Sequence, residues 1–405
     1  MAKKKPNYKL RRNLAKAFLV LIIIIPIVLI NRVKLAHLPL YLSNTKYTDI
    51  IDAMFEIKYT GSEAKNTLNY LKEKKKINDN TDDYILKLYN KGYSKNTIDY
   101  LIRNLNKSQI TDFLDKKYSK DFEEYIKLDL FKYSKYNRYI KYQEKHKDLS
   151  LEDIVIRIEL NMDKTYYEDS EFIKNPDEIT TLANKYYEIP EDYEPKDLVD
   201  MEDDYANNMY GTLTLRKEAY EKFKEMCNAS RKDGVKFYAE SAYRGYNYQN
   251  IIYKNYIDEN GQEKADKYAA RPGFSEHELG LALDLANIWT ITTKGEEYKW
   301  LTKNAYKYGY IIRYKKEWED ITGYSAESWH IRYVGVKAAS VIQKENITYE
   351  EYYAKYILTK KVQNNELFFI YLFLILIHII FYILLIFLII LHVFLLQLFF
   401  HYLVP

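Results

Sequence analysis

Two hydrophobic stretches with almost no charge, near the ends of the chain, constrain its folding most. The stretch from Leu14 to Ile30 contains only one charged residue, Lys16. Its length reaches the lower limit of about 17 residues for crossing a hydrocarbon core. Basic residues precede this stretch, and such residues usually stay on the cytoplasmic side of the membrane. The sequence INRVKLAHL after the stretch offers no small-residue site for cleavage of a signal peptide. We therefore expect a cytoplasmic tail at 1–13 and an uncleaved transmembrane anchor at 14–33, with the rest of the chain outside the cytoplasmic membrane.

The second stretch, residues 367–405, carries no charge apart from its three histidines, to which we assign no metal. As one helix it would be about twice as long as a hydrocarbon core of ~30 Å is thick. It lacks a turn-forming residue in its middle, and it has no Gly, Ala, Ser or Thr for helix packing. Three interpretations stay open: a second long or re-entrant membrane segment, a hairpin, or AT-rich DNA translated beyond the natural reading frame.

Between these stretches the chain is long enough for more than one domain, since it has 405 residues in total. Residues 45–150 show helical periodicity, as in IDYLIRNL after a start signal at Ser94, and we interpret them as a helical spacer module. In 151–200 the alternating IVIRIEL predicts a strand, and three prolines then indicate an extended linker. Residues 201–358 mix helical and strand patterns, which predicts an α+β domain.

Composition excludes several classes of site. The 61 basic and 57 acidic residues nearly balance, so the charge gives no support for a nucleic-acid partner. Cys227 is the only cysteine, so neither an intramolecular disulfide nor a cysteine-based zinc site can form. A metal in this chain therefore needs histidine and carboxylate ligands.

The stretch FSEHELGLALDLA brings a histidine and a carboxylate close together. His277 precedes a turn at Gly280, and Asp284 lies in an apolar alternating run that reads as a buried strand. A buried carboxylate needs an ion, a base or hydrogen bonds, so Asp284 is a candidate metal ligand. The alternative is an aspartate bound by backbone amides or by an arginine such as Arg271 or Arg313.

Two further motifs carry residues of the same chemistry. Glu327 precedes His330 by three positions in ESWH, and Arg244 ends the strand-like stretch SAYR. Two histidines and one carboxylate suit zinc and leave a fourth position open for water, whose proton a glutamate such as Glu327 can accept. Arg244 could face a carbonyl or carboxylate in a fixed direction, or be an ordinary surface arginine.

These motifs together resemble the zinc D-alanyl-D-alanine carboxypeptidase family, which includes D,D-carboxypeptidases, D,D-dipeptidases and L,D-carboxypeptidases. The resemblance covers SEHELGLALD and ESWH, with SAYRGYNYQ, GYIIRY and the segment from about Asn184 in the expected order. It implies the α+β fold of hedgehog/D,D-peptidase-like domains for residues 201–358. The sequence departs from the family at Ser328 and Lys315, where proline is usual, and both could alter how rigidly the neighbouring site residues are held.

The resemblance also implies a role for each matching residue. It makes His277, Asp284 and His330 the ligands of one Zn²⁺ ion. It implies that Glu327 is the catalytic base and that Arg244 polarises the scissile carbonyl. The side chains that it implies contact the substrate are Ser275, Gln249, Tyr314 and Trp329.

The function expected from this resemblance is hydrolysis of the terminal D-alanine from peptidoglycan stem peptides by a membrane-anchored, extracytoplasmic enzyme. The expected partners are therefore these stem peptides and the cytoplasmic membrane, and no nucleic acid. Three alternatives stay open: an L,D-carboxypeptidase acting on tetrapeptide stems, a non-catalytic protein that binds the cell wall, and an endopeptidase that cuts cross-links. The presence of the base Glu327 argues against the non-catalytic alternative, because a binding module has no need of it.

Overall fold

The computed structural model describes residue 34 and residues 36–209, 211–285 and 291–359. Within these ranges no helix is both long enough and apolar enough to cross a membrane. The predicted cytoplasmic tail, N-terminal anchor and hydrophobic C-terminal stretch lie outside them. The chain divides into two compact units after Leu128.

The described part of the first unit is helical. Its α-helices are Leu38–Leu42, Thr48–Glu56, Gly61–Glu73, Thr81–Asn90, Lys95–Asn104, Lys107–Asp115 and Lys120–Tyr125. Ser94 caps the fifth of them by accepting a hydrogen bond from the Thr97 amide at 3.4 Å, as its sequence signal predicts. The apolar face predicted in IDYLIRNL is buried, with each side chain at most 3% exposed.

The second unit begins with the helices Tyr136–Lys145 and Leu151–Glu159, and the latter corrects the predicted strand in IVIRIEL. That stretch fits both periods, because its apolar residues recur at helical as well as at alternate positions. The cap decides between them: Ser150 accepts a hydrogen bond from the Asp153 amide at 3.1 Å, and acidic residues fill the first turn.

Helices and short strands alternate in the rest of the second unit. Its α-helices are Lys217–Lys232, Tyr246–Asn260, Gln262–Tyr268, Glu296–Asn304, Glu319–Thr322, Val336–Glu345 and Tyr349–Tyr352. Two strand pairs precede the main sheet, β1 (Glu171–Phe172) with β2 (Tyr187–Glu188) and β3 (Leu198–Asp200) with β4 (Thr214–Arg216). The mixture of helix and sheet confirms the predicted α+β class.

A four-stranded antiparallel sheet organises the unit. Its strands are β5 (Ala239–Ser241), β6 (Ala282–Leu285), β7 (Tyr310–Tyr314) and β8 (Glu327–Tyr333), in the order β5-β6-β8-β7. β6 lies in the alternating run around Asp284, which was expected to form a strand. Alternation along β6 separates the apolar face, which carries Leu283 and Leu285, from the face that carries Asp284.

The apolar face of the sheet packs against the helix Lys217–Lys232. Leu283 of β6 and Ile331 of β8 belong to a buried cluster with Phe223 and Cys227 of that helix. The helix ends just before Gly234, which adopts a φ of +79°, a backbone conformation that favours glycine after a helix. The opposite face of β6 and β8 is thereby left for polar side chains.

Candidate metal centre and active site

The predicted metal ligands meet where β6 and β8 lie side by side. Asp284 of β6 is the register partner of His330 of β8, so their side chains project from the same face of the sheet. Oδ1 of Asp284 lies 3.2 Å from Nδ1 of His330, and Oδ2 lies 3.3 Å from Nε2 of His277. One ligand atom from each of the three residues falls within 4.8 Å of the others, close enough for a single ion to contact all three.

His277 is positioned by a short turn before β6. Ser275 caps the 3-10 helix Glu276–Leu279, which ends at Gly280 with a φ of +62°. Nδ1 of His277 lies 2.7 Å from the carbonyl oxygen of Ala242, to which it donates a hydrogen bond. Nε2 is therefore the unprotonated nitrogen, and among the described residues it has no hydrogen-bond partner although it is buried.

His330 is held through Nε2, whereas His277 is held through Nδ1. Its Nε2 lies 3.4 Å from Oε2 of Glu276, and its Nδ1 faces Asp284. The two imidazoles meet edge to face, with ring centroids 5.0 Å apart. The cluster therefore offers Nε2 of one histidine, Nδ1 of the other and a carboxylate oxygen between them.

Glu327 reaches the cluster because β8 is irregular. On a regular strand, residues three positions apart point to opposite faces, so Glu327 and His330 would not meet. The register between β7 and β8 shifts between Ile312 and Tyr314, and this irregularity brings Oε2 of Glu327 to 3.6 Å from Nδ1 of His330. The hydroxyl of Ser328, which replaces the usual proline, donates to the carbonyl oxygen of Ile291 at 2.5 Å and so ties this part of β8 down.

Arg244 points into the site. Its backbone amide donates to the carbonyl oxygen of His277 at 3.3 Å, and its Nη2 lies 3.6 Å from Oδ2 of Asp284. Its side chain is 15% exposed, which excludes the surface-arginine alternative. The arginines considered as partners of Asp284 pair elsewhere, Arg271 with Asp266 and Arg313 with Glu276 and Glu350.

The charges of the cluster shift its pKa values in opposite directions. Burial, reinforced by Arg244, lowers the pKa of His277 to about 4, so this imidazole is neutral at pH 7. Burial also opposes charge on His330, but its contacts with Asp284 and Glu276 raise its pKa to about 9. A dication bound at Nδ1 of His330 must therefore displace a proton. Burial raises the pKa of Glu327 to about 7.

Comparison with known proteins identifies the family to which this site belongs. The family model of VanY, described as D-alanyl-D-alanine carboxypeptidase, matches residues 212–336. The YodJ protein of Bacillus subtilis (strain 168) is 42% identical over 211 residues, which are 49% of this chain and 77% of YodJ. The chain belongs to the VanY family of zinc D-alanyl-D-alanine carboxypeptidases. As a VanY-family protein it is a hydrolase of the zinc-dependent carboxypeptidase type.

Other proteins are similar to part of the chain. The D-alanyl-D-alanine carboxypeptidase of Enterococcus faecium is 36% identical over 177 residues, which are 42% of this chain and 56% of that protein. The solved structure of the LdcB LD-carboxypeptidase is 42% identical, covers 47% of this chain and 92% of its own, and has a TM-score of 0.44. The first, helical unit lies outside the VanY match.

The residues predicted to contact substrate in this VanY-type site lie in different settings. Tyr314 is buried with its ring 5.0 Å from that of His330, so it belongs to the cluster. The oxygen of Ser275 accepts a hydrogen bond from the amide of His277 at 3.3 Å, and a serine hydroxyl can also donate one. Gln249 is buried and donates through Nε2 to the carbonyl oxygen of Ala270 at 2.8 Å, whereas its buried Oε1 has no partner among the described residues.

Among the described residues no contact joins Gln249 or Trp329 to the metal ligands, and Trp329 packs elsewhere. Its ring is half-buried and packs against the apolar core that contains Leu283 and Ile331. That core covers the face of the sheet opposite to Asp284, because Asp284 alternates with Leu283 along β6. The contact of Trp329 with substrate therefore stays a prediction, and its observed packing is structural.

Sequence reasoning missed Glu276, which occupies the unassigned position between Ser275 and His277. It is buried and contacts Nε2 of His330. Its charge was visible in the sequence, but its partner Arg313 is 37 positions away, and no local spacing predicts that contact. The available signal was the charge itself, since a glutamate in a buried motif needs a counter-charge.

Proposed function

We propose that this VanY-family enzyme removes the terminal D-alanine from peptidoglycan stem peptides, using one zinc ion held by His277, Asp284 and His330. The observation that carries the proposal is the convergence of these three ligand atoms within 4.8 Å. Beside them lie the partly buried carboxylate of Glu327 and the guanidinium of Arg244. This is the set of groups that metal-assisted hydrolysis of a peptide bond requires.

The donor set fits zinc. Two imidazole nitrogens and one carboxylate oxygen are ligands that zinc prefers, and three protein ligands leave a position open. The buried Nε2 of His277 has no hydrogen-bond partner within the described ranges, so its lone pair is available to a cation. When bound, zinc supplies Lewis acidity, which polarises a carbonyl group and lowers the pKa of water towards ~7.

The protein groups perform the remaining steps. Arg244 holds the oxygen of the scissile carbonyl and stabilises the negative charge that develops on it, because its guanidinium faces the cluster and its buried Nε has no partner among the described residues. Glu327 accepts a proton from the attacking water and donates it to the nitrogen of the departing D-alanine. A pKa of about 7 suits both transfers at neutral pH.

The substrate is oriented by neighbouring polar groups. The hydroxyl of Ser275 donates to the terminal carboxylate of the stem peptide, and the unpartnered Oε1 of Gln249 accepts from a peptide amide. Tyr314 packs on His330 and so forms one wall beside the ligand. Orientation of this kind lowers the entropic cost of reaching the transition state.

The test is to supply the full-length, zinc-loaded chain with pentapeptide and tetrapeptide stems and to measure released D-alanine. We expect the wild-type enzyme to release D-alanine from the pentapeptide. The Glu327→Gln variant should still bind zinc but should not release D-alanine. Release from the tetrapeptide alone would replace the proposed specificity with that of an L,D-carboxypeptidase. Separation of digested sacculi by HPLC would reveal cleavage of cross-links, and bound zinc without any hydrolysis would favour a wall-binding protein.

We also propose that the enzyme is anchored in the cytoplasmic membrane with its catalytic unit on the extracytoplasmic side. The hydrophobic stretch from Leu14 to Ile30, in which Lys16 is the only charge, and the basic residues before it support this orientation. The substrate class agrees, because peptidoglycan lies outside that membrane. Protease treatment of intact cells should digest the catalytic unit while sparing a cytoplasmic control, and release of the unit by salt washing would contradict anchoring.

A further inference from the structure

Glu276 is placed to control which nitrogen of His330 faces the metal cluster. An imidazole can bind a cation through either nitrogen, and the hydrogen bond made by the other nitrogen selects between them. Oε2 of Glu276 is 3.4 Å from Nε2 of His330, on the side of the ring away from Asp284. Accepting the proton of Nε2 leaves Nδ1 directed at the cluster.

Glu276 is itself held by buried arginines. Its Oε1 accepts a hydrogen bond from Nε of Arg313 at 2.8 Å and lies 3.4 Å from Nη1 of Arg332. Arg313 in turn donates to both carboxylate oxygens of Glu350, at 2.9 and 2.6 Å. All four side chains are at most 1% exposed, and their two positive and two negative charges balance.

These contacts fix the orientation of the Glu276 carboxylate. Its Oε1 faces the two guanidinium groups, and its Oε2 faces Nε2 of His330. The bidentate Arg313–Glu350 pair fixes the guanidinium, and the Nε of Arg313 then fixes the direction of the Glu276 carboxylate. The carboxylate of Glu276 therefore has a fixed position and contacts the His330 ring on its Nε2 side.

We propose that Glu276 is a positioning residue that keeps His330 protonated on Nε2 and presents Nδ1 to the zinc ion. The inference rests on the zinc site of the proposed function but concerns a residue to which that function gives no part. In His277 it is Nδ1 that donates, to the carbonyl oxygen of Ala242, and Nε2 faces the cluster. One ligand is therefore oriented by a backbone carbonyl and the other by a carboxylate. Of the two, only the acceptor of His330 is a side chain that substitution can remove.

The first test compares Glu276→Gln with the matched control Glu350→Gln, using the full-length chain and competition with a chromogenic zinc chelator. Each change removes one negative charge from the same Arg313, but Glu350 does not contact His330. Glu276→Gln should weaken zinc binding by about 10–100-fold, the usual effect of losing such a partner of a ligating histidine. Glu350→Gln should weaken it less than threefold, although both changes should lower the melting temperature.

Equal losses of zinc affinity in the two variants would overturn the proposal, because the effect would then arise from the charge balance and not from the contact with His330. Cobalt substitution adds a spectroscopic readout. The visible absorption bands of bound Co²⁺ should shift in Glu276→Gln and stay unchanged in Glu350→Gln. Unchanged bands in both variants would also contradict a positioning role.

The second test needs no variant and stands even if both substitutions prevent folding. Long-range ¹H–¹⁵N spectra of the wild-type, zinc-loaded protein should show His330 coordinated through Nδ1 with a slowly exchanging proton on Nε2, and His277 the reverse. Coordination of His330 through Nε2 would overturn the inference while leaving the carboxypeptidase proposal intact. Zinc bound through Nδ1 without release of D-alanine would contradict the proposed function alone.

Discussion

Glu276 and Glu327 lie on opposite sides of the His330 imidazole, and the charges around them differ. Oε2 of Glu276 is 3.4 Å from Nε2, whereas Oε2 of Glu327 is 3.6 Å from Nδ1. Burial opposes ionisation of both, but Arg313 and Arg332 hold the pKa of Glu276 far below its usual range. At Glu327 burial outweighs the opposing charges of His330 and Arg244, and the pKa of this carboxyl group rises to about 7.

This difference shows that burial alone does not decide what a carboxylate does in a site. A buried carboxylate with two guanidinium partners stays ionised and rigid, which suits it to hold another side chain in place. A buried carboxylate without them sits near the pH at which it can both accept and donate a proton, which suits general acid–base catalysis. The same residue type therefore serves two purposes on either side of one ring.

The largest expected effect comes from removing the proton-exchanging glutamate. Glu327→Gln should lower kcat by up to about 10⁴-fold, the upper range for loss of a general acid–base, while zinc affinity stays within threefold of wild type. Glu276→Gln should show the reverse pattern, with weaker zinc binding but most of the turnover restored at saturating zinc. Steady-state kinetics across a zinc titration distinguish them, and equal loss of turnover in both would abolish the contrast.

Removal of zinc should destabilise the catalytic unit. Asp284 and Glu327 lose the counter-charge of the ion, whereas Glu276 keeps its two arginines. For zinc at about 1,000 times its Kd the loss is ~4 kcal/mol, or about 10 °C in Tm for a unit of this size. Calorimetry with and without chelator measures this loss. An unchanged melting temperature in chelator would contradict zinc binding at this cluster.

Arg244→Lys should lower kcat by about 10²-fold, because lysine keeps the positive charge but cannot reproduce the direction of the guanidinium donors. Zinc binding should be unaffected, since Arg244 is not a ligand. Metal analysis and turnover of the purified variant provide the check. Near-normal kcat would show that the carbonyl oxygen is stabilised by another group.

How far these contrasts could be predicted from sequence depends on the distance between the partners. The position of His277 follows from local features, namely the cap at Ser275 and the turn at Gly280, and the alternation around Asp284 predicted its face of the sheet. The arrangement of Glu327 depends on a register shift between two strands, which no periodicity within ESWH reveals.

The environment of Glu276 could not be predicted for the same reason. Its partners Arg313 and Arg332 lie on β7 and β8, and the sequence offered Arg313 only as a possible partner of Asp284. The segment Leu151–Glu159 was ambiguous for a different reason, because its apolar residues fit both the helical and the strand period. The N-cap at Ser150 favours the helix that the structure shows. Local signals predict elements and motif residues, and long-range pairing determines their charges.

The pH profile should separate the two glutamates more finely. Because Glu327 must be ionised to accept a proton, kcat/KM should fall about tenfold per pH unit below its pKa. Burial raises that pKa to about 7, and a dication at the neighbouring ligands lowers it, so the fall should begin at or below pH 7. Glu276 stays ionised throughout, and Glu276→Gln at saturating zinc should keep the same acid limb. Loss of the limb in that variant would assign it to Glu276.

The smallest effect is expected at Trp329, which lies between Glu327 and His330 in sequence but packs on the apolar face of the sheet. Trp329→Phe should cost ~1 kcal/mol of stability through looser packing and leave KM and zinc affinity within twofold of wild type. Chemical denaturation and steady-state kinetics measure the two quantities separately. A KM raised tenfold at unchanged stability would instead show that the indole touches the stem peptide, and that the irregularity in β8 turns this side chain, as well as Glu327, towards the cleft.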